Sequence, residues 1–321
     1  MTAGGSVRIG IKTAPQDTDW QTLDAAWARI GQSDAFESVW INDHLTNARD
    51  TRGGAGLEAL TTLAALAHRV SGKWLGIAVL SATFRHAAVL AKQLTVLDHV
   101  TGGRLIVGLG AGWHEPEHVP FGIPFPPIAE RFDRFESALG VIRALFSDEA
   151  RSLPGVTRAD PFVALDGATN EPATLTPGGP PIWLGGQRRR GIDLAARFAQ
   201  GWITPFLLPG GRTDRLSHFK ELRAKLLVRM AEIERDPAGF EFAIQVPTGA
   251  TAASRRAGLR LALDSVASGA NHIVLAMPSQ LGPSGVDAVV GELATPLREA
   301  LHLVPESSMR GLPVHGMIGS T

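Results

Sequence analysis

The sequence predicts an α/β protein built as a (β/α)8 TIM barrel, and three observations predict it. Short apolar runs alternate with longer amphipathic stretches, the alternation occurs eight times, and no composition break resembles a linker. Near-continuous apolar strands between helices belong to a parallel sheet covered on its outer face. Eight such units in 321 residues suit one closed barrel better than an open doubly wound sheet. Residues 1–304 are read as that single domain, and 305–321 as a poorly ordered tail.

The first strand is Val7 to Ile11, followed by a helix in which Trp20, Leu23, Trp27 and Ile30 recur at helical spacing behind the capping residues Asp17, Thr18 and Asp19. Ser38 to Ile41 is the second strand and Leu57 to Val70 its helix. Trp74 to Leu80 is the third, with a helix carrying Leu90, Leu94 and Leu97. Arg104 to Leu109 is the fourth, and Phe132, Phe135, Leu139, Ile142 and Phe146 mark its long helix. The alternation resumes at Pro181 to Leu184 with helix Ile192 to Ala199, then Trp202 to Thr204 with helix Leu216 to Ile233. Phe240 to Val246 with helix Arg256 to Ala267, and His272 to Ala276 with helix Val286 to Leu301, complete the set. Two insertions are expected, one after the fourth strand and one after the fourth helix, the latter the Pro-, Gly- and Thr-rich stretch Arg151 to Pro180.

Composition narrows the function. Acids and bases balance at 31 each, which argues against a nucleic-acid binder needing a basic excess. The chain has no cysteine, so disulfides, thiolate metal sites and a cysteine nucleophile are excluded. It also has no tyrosine, the commonest phenolic acid. Met1 to Gly10 shows no signal-peptide pattern, and no apolar run approaches the roughly 20 residues of a membrane helix. We read a cytoplasmic protein.

In such barrels the active site lies at the C-terminal ends of the strands. That rule selects Asn42, Asp43 and His44 after strand two, Ser81 to Thr83 after strand three, and Gly110 to Trp113 after strand four. It also selects Gly185 to Gln187 after strand five, with Pro205 and Phe206 after strand six. Gly185, Gly186, Gln187 and Arg188 open a helix whose free amides favour an anion, and Arg188, Arg189 and Arg190 add positive charge. A cofactor phosphate site is one reading; a glycine turn with a solvated basic face is the other. His44 is the candidate for proton transfer near neutral pH, against the plainer reading of a structural histidine. His114 to His118 spells a zinc-protease pattern, but that pattern needs both histidines on one helical face and Pro116 opposes a helix. No metal site is assigned.

Together these segments resemble the luciferase-like monooxygenase family, especially its deazaflavin-using branch. The resemblance rests on Val39 to His44, Phe84 to His86 running into Leu90 to Gln93, Leu97 with Asp98, Thr101 to Arg104, and Gly108 to Trp113. It continues through Phe121 to Phe125, Glu130 with Arg131, Pro181 to Gly186, and Gly201 to Ile203, covering about Val7 to Leu301. It implies a flavin-type ring across the barrel mouth, coenzyme F420 first and FMN second. Cofactor contacts are expected from Asp43, Ala78, Val79, Leu80, Ser81, Gly110, Gly112, Trp113, Gly185, Gly186, Gln187 and Arg188, with His44 catalytic. A non-prolyl cis peptide is expected at Ala78–Val79. The three arginines suit F420, whose acidic tail is longer than that of FMN.

One departure counts. Some deazaflavin dehydrogenases carry a glutamate directly after the glycine pair of strand four, and here Trp113 stands in its place as an apolar wall, which argues against a sugar-phosphate dehydrogenase. The missing cysteine and tyrosine weaken the match to sulfonate monooxygenases. Expected partners are a small organic substrate, a second copy of the chain in a homodimer and, under FMN, a flavin reductase. A non-catalytic flavin-binding barrel is the remaining reading.

Overall fold

The computed structural model of the protein describes residues 7–47 and 54–303. The tail expected over 305–321 lies outside the described residues.

Strands β1 (Arg8–Thr13), β2 (Ser38–Ile41), β3 (Trp74–Ser81) and β4 (Leu105–Gly110) form the first half of a closed barrel. After β4 the chain makes a separate antiparallel pair, β5 (Val156–Arg158) with β6 (Leu165–Ala168). The barrel is completed by β7 (Ile182–Leu184), β8 (Gly201–Ile203), β9 (Glu241–Pro247) and β10 (His272–Met277). All eight barrel strands run parallel, and β1 closes on β10.

Helices cover the outside: α1 (Trp20–Gly31), α2 (Ala59–Leu66), α3 (Ala87–Thr101), α4 (Ile128–Leu145), α5 (Arg189–Phe198), α6 (Arg215–Glu232), α7 (Ala252–Ala267), α8 (Gly282–Val289) and α9 (Thr295–Leu303). Among the described residues none is long and apolar enough to cross a membrane. Strand alternation divides the core. Odd-facing residues such as Ile9, Ile11, Val39 and Ile41 join the large layer between sheet and helices. Trp40, Ala78, Ile106, Trp183, Ile203, Ala243 and Val274 fill the barrel itself.

Two elements differ from the sequence expectation. The last helix breaks into α8 and α9 around a π-helical turn, Val290–Ala294, in which the Thr295 amide bonds Val290 O. Pro296 follows, and its missing N–H and its ring disturb the regular ladder at that point. The stretch expected to be irregular after α4 is ordered. It carries β5 and β6 and is tied to α3: Asp98 accepts from the Thr176 amide and hydroxyl at 2.8 Å each, Lys92 donates to Glu171 O, and His99 bonds Ala173 O. It therefore packs on the outer face of α3, away from the barrel mouth.

Candidate active site

The ends of β2 and β3 are locked together by charge. Asp43, 3% exposed, accepts from Arg85 Nη1 (2.7 Å) and Nη2 (2.8 Å) and from the Ser81 amide (3.0 Å). Arg85 also pairs with Glu58, which caps α2 by accepting from the Leu60 and Thr61 amides. Burial alone would lower the Arg85 pKa; the hydrogen bonds and charges of Asp43 and Glu58 overcome it and hold the guanidinium charged. Asp43 thus braces β3, and its two oxygens are occupied by protein donors.

His44 follows on the same strand end. Its Nδ1 lies 2.8 Å from Glu117 Oε1, and Glu117 Oε2 accepts from the Leu45 amide at 2.9 Å. The His44 side chain keeps 18% exposure while that of Glu117 keeps 2%. Trp113, half exposed, meets the His44 ring edge-on at 5.7 Å. The apolar wall expected of Trp113 is therefore beside His44. The segment His114 to His118 that delivers Glu117 is a short 3-10 turn containing Pro116. His118 Nδ1 bonds His114 O and its Nε2 bonds Thr83 Oγ1, which in turn bonds Ser81 Oγ. Among the described residues, no group of three or more His, Asp or Glu is placed to hold a metal ion.

The platform between these elements is built from glycines around one valine. The Ala78–Val79 peptide is cis, as the resemblance implies, and the β3–β4 register shifts there between Ile77 and Leu80. A Cβ on Gly108 or Gly110 would lie 3.0 Å from a Val79 methyl, and one on Gly185 3.5 Å away. Val79 therefore sits at the mouth among three residues that leave it room. Ala78 belongs to the barrel interior, whereas Leu80 is fully buried in the layer facing the helices. Gly112 adopts φ +77°, where a side chain is strained, and a Cβ there would come within 2.7 Å of Thr83 Oγ1. Its carbonyl accepts from Arg131 at 2.6 Å.

Across the mouth, Arg188 starts α5 and no side chain caps the helix. The first amides of such a helix lack internal acceptors. Gly186 and Gly191 face each other so closely that a Cβ on either would strike the other's backbone at 2.5–2.7 Å. This contact seats the helix N-terminus against the strand end, and Trp202 Nε1 donates to Gly186 O at 2.8 Å to fix it. Gln187 Oε1 is held by His218 Nε2 at 2.9 Å. Of the three arginines, Arg190 turns away to Asp133 and Glu136 on α4; Arg188 and Arg189 form no ion pair with the described residues. They line a groove of about 1020 Å³ between α5 and α6.

Lys12 and Glu117 were not singled out from the sequence, and Asn42 was selected there only by its place at a strand end. Lys12, at the end of β1, is buried, hydrogen-bonds Gln245 of β9 and lies 4.5 Å from the Phe206 ring centre. A charge closing the apolar run Ile9 to Ile11 is a signal that could have marked it. Asn42 Oδ1 is buried without a partner, its amide nitrogen donating to Gln16 at 2.6 Å. Glu117 lies 73 residues from His44, and no local pattern joins them. These features fit a flat heteroaromatic cofactor with a phosphate arm. Val79 stands among glycines, the α5 terminus is uncapped, and Asn42 keeps an unused acceptor.

The sequence matches the model of the luciferase-like monooxygenase family over residues 13–289. It is 31% identical over 201 residues to an F420-dependent glucose-6-phosphate dehydrogenase of Nakamurella multipartita, covering 62% of this chain and 56% of that one. It is 29% identical over 186 residues to a phthiodiolone/phenolphthiodiolone dimycocerosates ketoreductase of Mycobacterium bovis, covering 52% and 46%. The chain spans about half the length of the curated relatives it matches. Among solved structures, an F420-dependent secondary alcohol dehydrogenase bound to an F420–acetone adduct superposes with TM-score 0.72 at 17% identity, over 91% of this chain and 99% of that one. A long-chain alkane monooxygenase superposes with TM-score 0.71 at 15% identity, over 94% and 92%. These superpositions establish a shared fold.

Proposed function

The chain belongs to the luciferase-like monooxygenase family, and from that premise we propose that it is an F420-dependent oxidoreductase acting on a small organic substrate. The observation that carries the reading is the convergence on one barrel mouth of His44, the Val79 platform and the uncapped N-terminus of α5. When bound, F420 supplies two-electron hydride chemistry. Gly185, Gly186, Gln187 and Arg188 hold its phosphate through backbone amides. Val79, flanked by Gly110 and Gly185, supports the ring, and Asn42 accepts from it. The groove with Arg188 and Arg189 favours the cofactor with the longer acidic tail. His44, half-buried beside Trp113, holds or moves the proton that accompanies hydride transfer.

The second reading is FMN with oxygen in a two-component monooxygenase, which would need a reductase. The sugar phosphate of the dehydrogenase relatives is not carried over, because Trp113 occupies the place where such enzymes carry an acid. We take the protein to act in the cytoplasm as a homodimer.

Fluorescence titration of the apoprotein with F420 and with FMN tests the cofactor, and tighter binding of FMN would reverse the order of the readings. His44→Ala tests the proton role. Single-turnover rate should fall about 10²–10⁴-fold with cofactor affinity little changed. A normal rate in the folded, loaded variant would remove His44 from the chemistry.

A further inference from the structure

We propose that Glu117 is a positioning residue that fixes the tautomer of His44, so that protons enter and leave the site at His44 Nε2. The proposal rests on the reading of His44 given above and adds which ring nitrogen works and what selects it.

The geometry is that of an oriented imidazole. Glu117 is held on two sides: Oε2 takes the Leu45 amide at 2.9 Å and Oε1 faces His44 Nδ1 at 2.8 Å. A backbone amide only donates, so Oε2 is committed as an acceptor. As a carboxylate, Glu117 accepts at Oε1 too, and His44 Nδ1 must carry the hydrogen. The neutral ring then presents a bare Nε2, ready to accept a proton, and the cation presents Nε2–H, ready to return it. No hydrogen bond reaches His44 Nε2 from the described residues, and the His44 side chain keeps 18% exposure against 2% for Glu117.

The remaining neighbours of the ring do not compete for either nitrogen. Trp113 and His114 pack edge-on at 5.7 and 6.1 Å. Burial foremost pushes the His114 pKa down against the pull of Glu117. His118 is engaged at both nitrogens elsewhere. The backbone is pinned as well, because Gln16 Nε2 donates to His44 O at 2.9 Å. The turn bearing Glu117 thus brings a carboxylate to His44 although the position after the strand-four glycines holds Trp113.

Nitrogen-15 NMR of the histidine-labelled full chain reads the tautomer directly, without cofactor or substrate. Wild type should show His44 with hydrogen on Nδ1 and a bare Nε2. In Glu117→Gln one oxygen must serve both the Leu45 amide and His44, so the carboxamide NH2 turns toward one of them. The tautomer should shift toward Nε2–H or become mixed. Turnover should fall about 10²–10⁴-fold while KM and cofactor affinity stay within a few-fold. A neutral wild-type His44 ring with its hydrogen on Nε2 and a bare Nδ1 overturns the proposal, as does Glu117→Gln retaining turnover within about twofold. A full rate in His44→Ala would instead strike the proton role itself and leave the tautomer measurement standing, so the two failures are distinguishable.

Discussion

The two ends of the barrel interior are built on opposite terms. At the N-terminal end Arg8 pairs with Glu241, and Ser38 Oγ bonds both His272 Nε2 and Trp40 Nε1 at 2.8 Å. Trp40, Trp183 and His272 pack ring against ring at 5.1–5.5 Å. Burial dominates the His272 ring and pushes its pKa down despite Glu241, whose Oε2 lies 3.7 Å from Nδ1. At the C-terminal end the same strands leave Asn42 Oδ1 buried and unpartnered, His44 partly exposed, and the α5 N-terminus uncapped. Buried polar groups are normally satisfied, so polarity left over at the mouth points to something outside the protein. One end is a plug and the other a receptor, although both grow from the same eight strands.

Substitutions at the plug should therefore cost stability and leave binding alone. Trp183→Ala removes a buried indole from the ring stack and should lower stability by about 3–5 kcal/mol. Denaturant unfolding measures this, and F420 titration of the folded fraction should give the wild-type affinity. A large loss of affinity at full folding would break the division between the two ends.

The glycines of the cradle sharpen the comparison, because they differ. At Gly186 a Cβ would meet the Gly191 backbone at 2.5 Å. Gly186→Ala should cost about 1–3 kcal/mol of stability through overpacking. Gly185→Ala has ordinary contact distances and should keep the melting temperature while weakening cofactor binding. The reverse pattern in melting temperature and affinity would assign the cradle to the wrong glycine.

A third region obeys neither rule. Asp160 in the α4–β7 insertion accepts from Ser137 Oγ and from the Phe162 and Val163 amides at 2.5–3.0 Å. Burial would raise its pKa, but these bonds and Arg158 hold it at about 2 instead of 3.8. A depressed carboxylate stabilises the fold above its unfolded pKa, and the contribution fades as pH falls from about 4 toward 2. The shift corresponds to about 2 kcal/mol at neutral pH. Asp160→Asn should flatten acid unfolding in that window and leave turnover unchanged at pH 7; an unchanged acid profile would show that the loss starts elsewhere.

The smallest effect is expected at the mouth. Asn42→Ala deletes a buried acceptor that the protein does not use, along with the bond to Gln16. Stability should change by less than about 1 kcal/mol. Cofactor affinity should fall about tenfold, the worth of one hydrogen bond to a bound ring. Equal affinity would return Asn42 to the scaffold.

Much of this was legible in the sequence because it is local. The apolar runs, their helical partners and the strand ends at His44, Gly112 and Gly185 follow from periodicity and from the rule that barrels work at their C-terminal face. The pairings were not legible. Arg85 reaches Asp43 across 42 residues, Lys12 reaches Gln245 across 233, and Arg190, read as part of an anion site, turns instead to α4. Likewise, Pro116 within His114 to His118 disfavours a metalloprotease helix, but nothing local shows that the same turn carries Glu117 to His44.

By itself, then, the sequence determined an eight-unit barrel and the segments that line its mouth, since each depends on near neighbours in the chain. Tertiary structure alone decided which groups are consumed by one another and which stay open. Asp43 is held by Arg85 and Ser81, His44 is oriented by Glu117, and Asn42 is left with an unused acceptor. The physical reason is that hydrogen bonds act over about 3 Å between groups of any separation in sequence, so satisfaction is settled only when the barrel closes.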